Sequence, residues 1–264
     1  MAPLLGASLS IGPLLAGPTE ASRGLTVQVY NWAAMRRMGG QESSALHHCN
    51  PWTPGAAEPS PKFTVFVYNY AALPAEVLKQ TEAEAARIYR HEGIEVEWLD
   101  CPLSPGEASQ FTACQIPSGP TRLAVRILSQ SMAERLRQAQ ESFGFALYPD
   151  DGSFATVANV FAHDAEQLAD RRGIRQGVIL GHLVAHEVGH LLLGAGSHSA
   201  VGIMHATWHL KELEIIGQGA MTFTPKEAER MRTNIRVRMA AEEATEAAFV
   251  PRRLSTRHGI DSLK

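Results

Sequence analysis

Residues 178–204 read Val178-Ile-Leu-Gly-His-Leu-Val-Ala-His-Glu-Val-Gly-His-Leu-Leu-Leu-Gly-Ala-Gly-Ser-His-Ser-Ala-Val-Gly-Ile-Met204. His186 and His190 are four residues apart, so on a helix they share one face, roughly 6 Å apart along the axis at 1.5 Å per residue. Two imidazoles at that spacing can occupy two corners of one tetrahedral zinc. Glu187 is offset by about 100° around the axis, which puts it beside such a metal, placed to take a proton from a zinc-bound water. The flanking residues are apolar nearly all round, so this is a buried helix. Burying His186, Glu187 and His190 with neither hydrogen bonds nor a metal costs several kcal/mol, roughly summed over the three groups. Gly194 and Gly196 end the helix and let the chain turn back, after which His198 supplies a third imidazole and Gly202-Ile-Met204 follows.

This run resembles the metzincin zinc peptidases, the group of astacins, matrixins and reprolysins. Their signature is HExxH, a helix-ending Gly, a third His, and a Met in a turn beneath the zinc. His186, Glu187, His190, His198 and Met204 match it in type and order, and the wording HE-x-GHLLLG, then HS and GIM, is similar to that of uncharacterised bacterial zinc proteases of the group. The resemblance implies Zn2+ held by His186, His190 and His198, with Glu187 as the catalytic base of peptide-bond hydrolysis. It implies a zincin fold of α/β (α+β) class: a twisted mixed sheet, two long helices above it, and a small, mostly irregular or helical lower subdomain. It also implies that an edge strand, for which Gly144–Tyr148 is the candidate, pairs with extended substrate. The spacing departs from the signature: Gly194 and His198 stand four and eight residues after His190, where three and six are usual, so two residues bulge in the Ala195-Gly196-Ser197 turn. Ala206 stands where a tyrosine ligand of the astacin kind would be. His182 reads as a second-layer or core residue, and His205 and His209 as rivals for the metal that lack an adjacent Glu. The alternative function is a non-catalytic or privately regulated zinc-binding module that uses the same fold for protein interaction.

Outward from this run the pattern is strand, helix, three or four strands and then the buried helix. Phe63–Ala71 reads as a buried strand, and a helix from Pro74 ends near Gly93. Ile94–Trp98 and Thr121–Leu128 alternate as strands, and Ser129–Gln140 carries a short helical pattern. Gly144–Tyr148 and Ala155–Phe161 read as two further strands, separated by Pro149-Asp-Asp-Gly-Ser153. Thr224, Pro225 and Glu227 form a capping box that opens a last helix running into the 240s.

The chain has 264 residues with a formal charge of −3, so no basic excess draws it to nucleic acid or acidic lipid. No apolar run is long enough to cross a membrane. The expected partners are a peptide or protein substrate, bound by a monomer. Residues 1–62 are rich in Pro, Gly, Ala and Ser and read as a largely unstructured leader or pro-segment, 63–240 as the catalytic domain and 241–264 as a fraying tail. Within the leader, Leu25–Met35 matches Phe63–Leu73 at seven of eleven positions, and Cys49 is a candidate latency thiol. Cys101 and Cys114 are expected to bridge across Pro102–Ala113, which places the protein in a secreted or periplasmic setting. Free thiols there would instead mean the cytoplasm.

Overall fold

The computed structural model describes residues 59–249 apart from 109, 116–118 and 137–142. The leader up to residue 58, with its strand-like repeat and Cys49, lies outside the described residues, as does the chain beyond 249. Five strands form one sheet of order β2-β1-β3-β5-β4: β1 (Lys62–Asn69), β2 (Glu95–Asp100), β3 (Arg122–Leu128), β4 (Gly144–Leu147) and β5 (Val157–Phe161). Neighbours among the first four of that order run parallel, and β4 alone is antiparallel, with Gly144 opposite Val160. The helices, in chain order, are α1 (Ala75–His91), α2 (Pro105–Ala108), α3 (Gln130–Leu136), α4 (Ala162–Arg172), α5 (Gln176–Leu193), α6 (Leu210–Gly217) and α7 (Pro225–Phe249). This is a mixed α/β architecture with a mostly parallel sheet.

Alternation in the strands sets the layers. Val65, Val67, Leu123, Val125, Ile127, Ala158 and Val160 point to one face and join α1, α5 and α7 in the main core. On the other face Leu128 and Phe161 pack with Ala133 of α3 in a smaller cluster. α5 is buried along nearly its whole length because α1 covers one side and the sheet another. Close approach to α1 is bought with small side chains. A Cβ on Gly181 would stand 2.6 Å from Glu84 Cβ and 2.9 Å from the Thr81 carbonyl oxygen.

Three helices are absent from the sequence reading: the single-turn α2, then α4 and α6. α4 follows β5 without a loop, and its buried stripe is Ala162, Ala165 and Ala169, too small to stand out among Asp, Glu and Arg. α6 is a two-turn helix opened by a capping box between His209 and Glu212. α7 begins on the expected box, with Thr224 N–H donating to Glu227 Oε2 at 2.8 Å and Glu227 N–H to Thr224 Oγ1 at 3.3 Å. It runs into the 240s as expected, to Phe249, and Glu242 ties it to the start of β3 by accepting from Arg122 at 2.5 Å and from Thr121 N and Oγ1 at 3.2 Å.

α7 has a second task. The last four carbonyls of a helix lack partners within it. On α5, Leu193 O accepts from Arg230 at 3.1 Å, Leu192 O from Asn234 at 2.8 Å and Leu191 O from Arg238 at 2.5 Å. The donors are spaced i, i+4, i+8, so one face of α7 caps the end of α5. Arg238 is only 4% exposed and also donates to Ala155 O and Pro120 O, so a buried cation is satisfied wholly by carbonyls. Burial holds its guanidinium below the usual arginine value, to about 10, so it stays charged at neutral pH.

Cys101 and Cys114 form a disulfide that closes the segment after β2. Arg238→Met should therefore destabilise the fold by about 3 kcal/mol, since at least two buried carbonyls lose their donor. Urea unfolding of the variant against wild type reads this directly, and an unchanged midpoint would contradict it. Reduction of the disulfide should lower stability by about 3 kcal/mol for a loop of this size, read as the midpoint difference with and without reductant.

Candidate metal centre

His186 and His190 face the same side of α5, and the Gly194–Gly196 turn brings His198 back to them. The turn uses two left-handed backbones, Gly194 at φ 93° and Gly196 at φ 69°, which glycine alone adopts without strain. His190 Nε2 lies 3.0 Å from His186 Nε2 and 3.1 Å from His198 Nε2. The three ring nitrogens lie within 4.8 Å of one another, the one such group among the described residues. Three zinc ligands at ordinary distances in a tetrahedron would stand about 3.3 Å apart, so the cluster needs little adjustment to close on an ion.

The outer nitrogens of two rings are fixed. His186 Nδ1 donates to the Ile203 carbonyl at 2.7 Å, and because a carbonyl can only accept, the Nε2 of the neutral ring carries a lone pair aimed at the cluster. His190 Nδ1 lies 3.0 Å from Ser197 Oγ. Ile203 and Met204 sit against α5: Met204 is fully buried, and a Cβ on Gly189 would stand 2.7 Å from its sulfur. Trp208 lies edge-on to His186, ring centroids 5.9 Å apart.

Glu187 is 5% exposed, and its Oε2 is buried without a hydrogen-bond partner. Its carboxylate packs on Gly144, at the start of β4, where a Cβ would come within 2.8 Å of Glu187 Cγ and Oε1. β4 is one of the two edge strands of the sheet, β2 being the other, and the sequence reading expects an edge strand at Gly144–Tyr148.

The remaining histidines take other work. His182 is fully buried with Nδ1 2.8 Å from the Val178 carbonyl, a core residue one turn before His186. His205 and His209 are 6.4 Å apart between ring centroids and outside the cluster, and His209 caps α6. The sequence reading puts the strand Gly144–Tyr148 beside the substrate but gives no contact of Gly144 with Glu187 or of Tyr148 with His190, and it does not single out Ser197 or Trp208 as neighbours of the site. Only Ser197, next to His198, carried a local cue.

Electrostatics follow burial. His186 is pushed down to about 4, first by desolvation and then by His198 and His205, against the raising effect of the Ile203 carbonyl. His190 is pushed down to about 2 by desolvation and by its two imidazole neighbours. His198 is lowered by desolvation and then by His205. All three are therefore neutral at physiological pH, the form that binds metal. Desolvation raises Glu187 to about 8.

No protein-family profile and no curated protein matches the chain. Among solved structures, the crystal structure of archaemetzincin from Methanopyrus kandleri is similar. The two are 14% identical with a TM-score of 0.39, over 67% of this chain and 97% of that one.

The shifts give the metal-free protein a signed pH dependence. An unfolded histidine takes up its proton near 6.5, whereas His186 does so near 4 when folded. Its contribution is therefore whole above 6.5 and is lost as pH falls toward 4. Glu187 has the opposite sign: its folded value of about 8 exceeds the ordinary 4.5, so its contribution is whole below 4.5 and is lost as pH rises toward 8. In the metal-free state, the stability advantage of Glu187→Gln over wild type should grow steadily from pH 4.5 to 8. Thermal unfolding across that range measures it, and a constant difference would contradict the account.

Proposed function

We propose that the protein is a zinc-dependent peptidase of metzincin type, with His186, His190 and His198 as metal ligands and Glu187 as catalytic base. One observation carries the reading: the ring nitrogens of three neutral histidines converge at one point, beside a buried carboxyl oxygen that has no partner. Zinc, when bound there, supplies Lewis acidity toward a carbonyl and toward water. The chain's own groups do the rest. Ile203 O and Ser197 Oγ fix the orientation of two ligand rings, so the donor set is arranged before metal arrives. Burial alone would keep Glu187 protonated at neutral pH, and a cation at the three imidazoles would favour its ionised form, which accepts a proton at Oε2 from the attacking water and passes it to the leaving amine. An extended substrate laid along β4 presents its scissile bond beside Glu187, because Gly144 at the start of that strand touches the carboxylate.

Met204, buried against Gly189, takes the place of the methionine that the metzincin signature sets beneath the zinc. The two extra residues before His198 are absorbed in the Gly194–Gly196 turn. The Cys101–Cys114 disulfide argues for an oxidising compartment, hence a secreted or periplasmic protein, and against the free-thiol cytoplasmic alternative. No described helix is long and apolar enough to cross a membrane. The substrate is a peptide or protein and the working unit a monomer.

Purified protein should contain one zinc by elemental analysis and should cleave an unfolded protein in a chelator-sensitive way. Glu187→Gln should retain the zinc while losing activity by on the order of 10²–10⁴. His198→Ala should lose zinc, and His205→Ala and His209→Ala should keep it. Zinc without any hydrolysis, in wild type and Glu187→Gln alike, would favour the non-catalytic zinc module instead.

A further inference from the structure

The last turn of α5 is held from two directions. Leu191, Leu192 and Leu193 give their carbonyls to α7, but the carbonyl of His190 accepts from the hydroxyl of Tyr148 at 3.0 Å. Tyr148 follows β4 directly, and β4 is the last strand of the sheet, with no described strand on its far side. Gly144, Ala146 and Tyr148 alternate toward α5. The first packs on the Glu187 carboxylate, the second lies in the core and the third reaches the turn that carries His190. A short strand at the rim of the molecule thus touches both chemically important positions of the buried helix.

We propose that Tyr148 is a positioning residue that couples the edge strand β4 to the metal centre. The bond from its hydroxyl adds to the one that Gly194 N–H makes to the same carbonyl at 2.9 Å and ties the His190 peptide unit, and with it the direction in which the imidazole leaves the helix, to the edge strand. Anything that orders β4, such as an added extended chain, then sharpens the ligand geometry. By reciprocity a metal ion bound to the three imidazoles orders β4 in return. The proposal rests on the metal-centre reading and does not need the peptidase reading.

Tyr89 supplies the control. Its hydroxyl donates to Ala185 O at 2.9 Å, in the peptide that leads into His186, so Tyr89→Phe removes the same kind of bond beside a ligand without touching the edge strand and controls for the coupling to β4. Zinc affinity is measured by competition with a fluorescent chelator, and backbone hydrogen exchange over residues 144–148 with and without zinc. Tyr148→Phe should weaken zinc about fivefold, the worth of one hydrogen bond. Zinc should slow exchange over 144–148 in wild type and Tyr89→Phe, and this protection should vanish in Tyr148→Phe. Unweakened zinc binding in Tyr148→Phe, or protection over 144–148 that survives in it, overturns the proposal. A wild type that takes up no zinc overturns both this and the metal-centre reading. Zinc uptake without peptide hydrolysis overturns the peptidase reading alone, since both zinc measurements remain decisive.

Discussion

The capture of α5's terminal carbonyls is the interaction on which the rest depends. A helix that ends inside a protein leaves four acceptors and a partial negative charge that water cannot reach. Here Arg230, Asn234 and Arg238 from α7 meet the last three, and the His190 carbonyl, which accepts from Gly194 N–H at 2.9 Å, takes a second bond from Tyr148 at the sheet edge. Two of these donors are cations, which also complement the negative end of the helix dipole. Because His190 sits in that last turn, the metal cluster inherits the rigidity of this cap. α7 is therefore part of the site's scaffold although none of its side chains enters the cluster of three imidazoles.

The cluster is itself a balance of opposed demands. Burial favours neutral imidazoles and a neutral carboxyl, while the carboxylate oxygen left without a donor is costly. A cation at the focus of the three nitrogens relieves both: it binds neutral imidazoles and favours the ionised carboxylate. The fixed outer nitrogens mean that little reorganisation accompanies its arrival.

Much of this was legible in the sequence, and the unread part has a common cause. His186, Glu187 and His190 could be placed because four-residue spacing on an apolar helix is a local signal, and His198 because two glycines announce a reversal. The strands and the Thr224–Glu227 box are likewise written in neighbouring residues. α4 was hidden because its buried stripe is alanine, whose burial depends on what packs against it and not on its own hydrophobicity. The docking of the far part of α7, where Glu242 meets Arg122 and Thr121, is a contact across more than a hundred residues. Tyr148 on His190 and Gly144 on Glu187 belong to the same class. They are tertiary contacts between groups with no periodicity in common.

One feature of α5 bears on how such a protein could be altered. Gly177, Gly181, Ala185 and Gly189 recur every fourth residue along it, and a Cβ on any of the three glycines would lie 2.6–2.7 Å from a neighbouring heavy atom. In an ordinary exposed helix, replacing glycine by alanine gains about 1 kcal/mol of intrinsic propensity and is a standard route to thermostability. Here the same replacement would wedge the helix off α1 or off Met204. A screen for hardier variants would have to search elsewhere, because this helix has exchanged conformational preference for proximity.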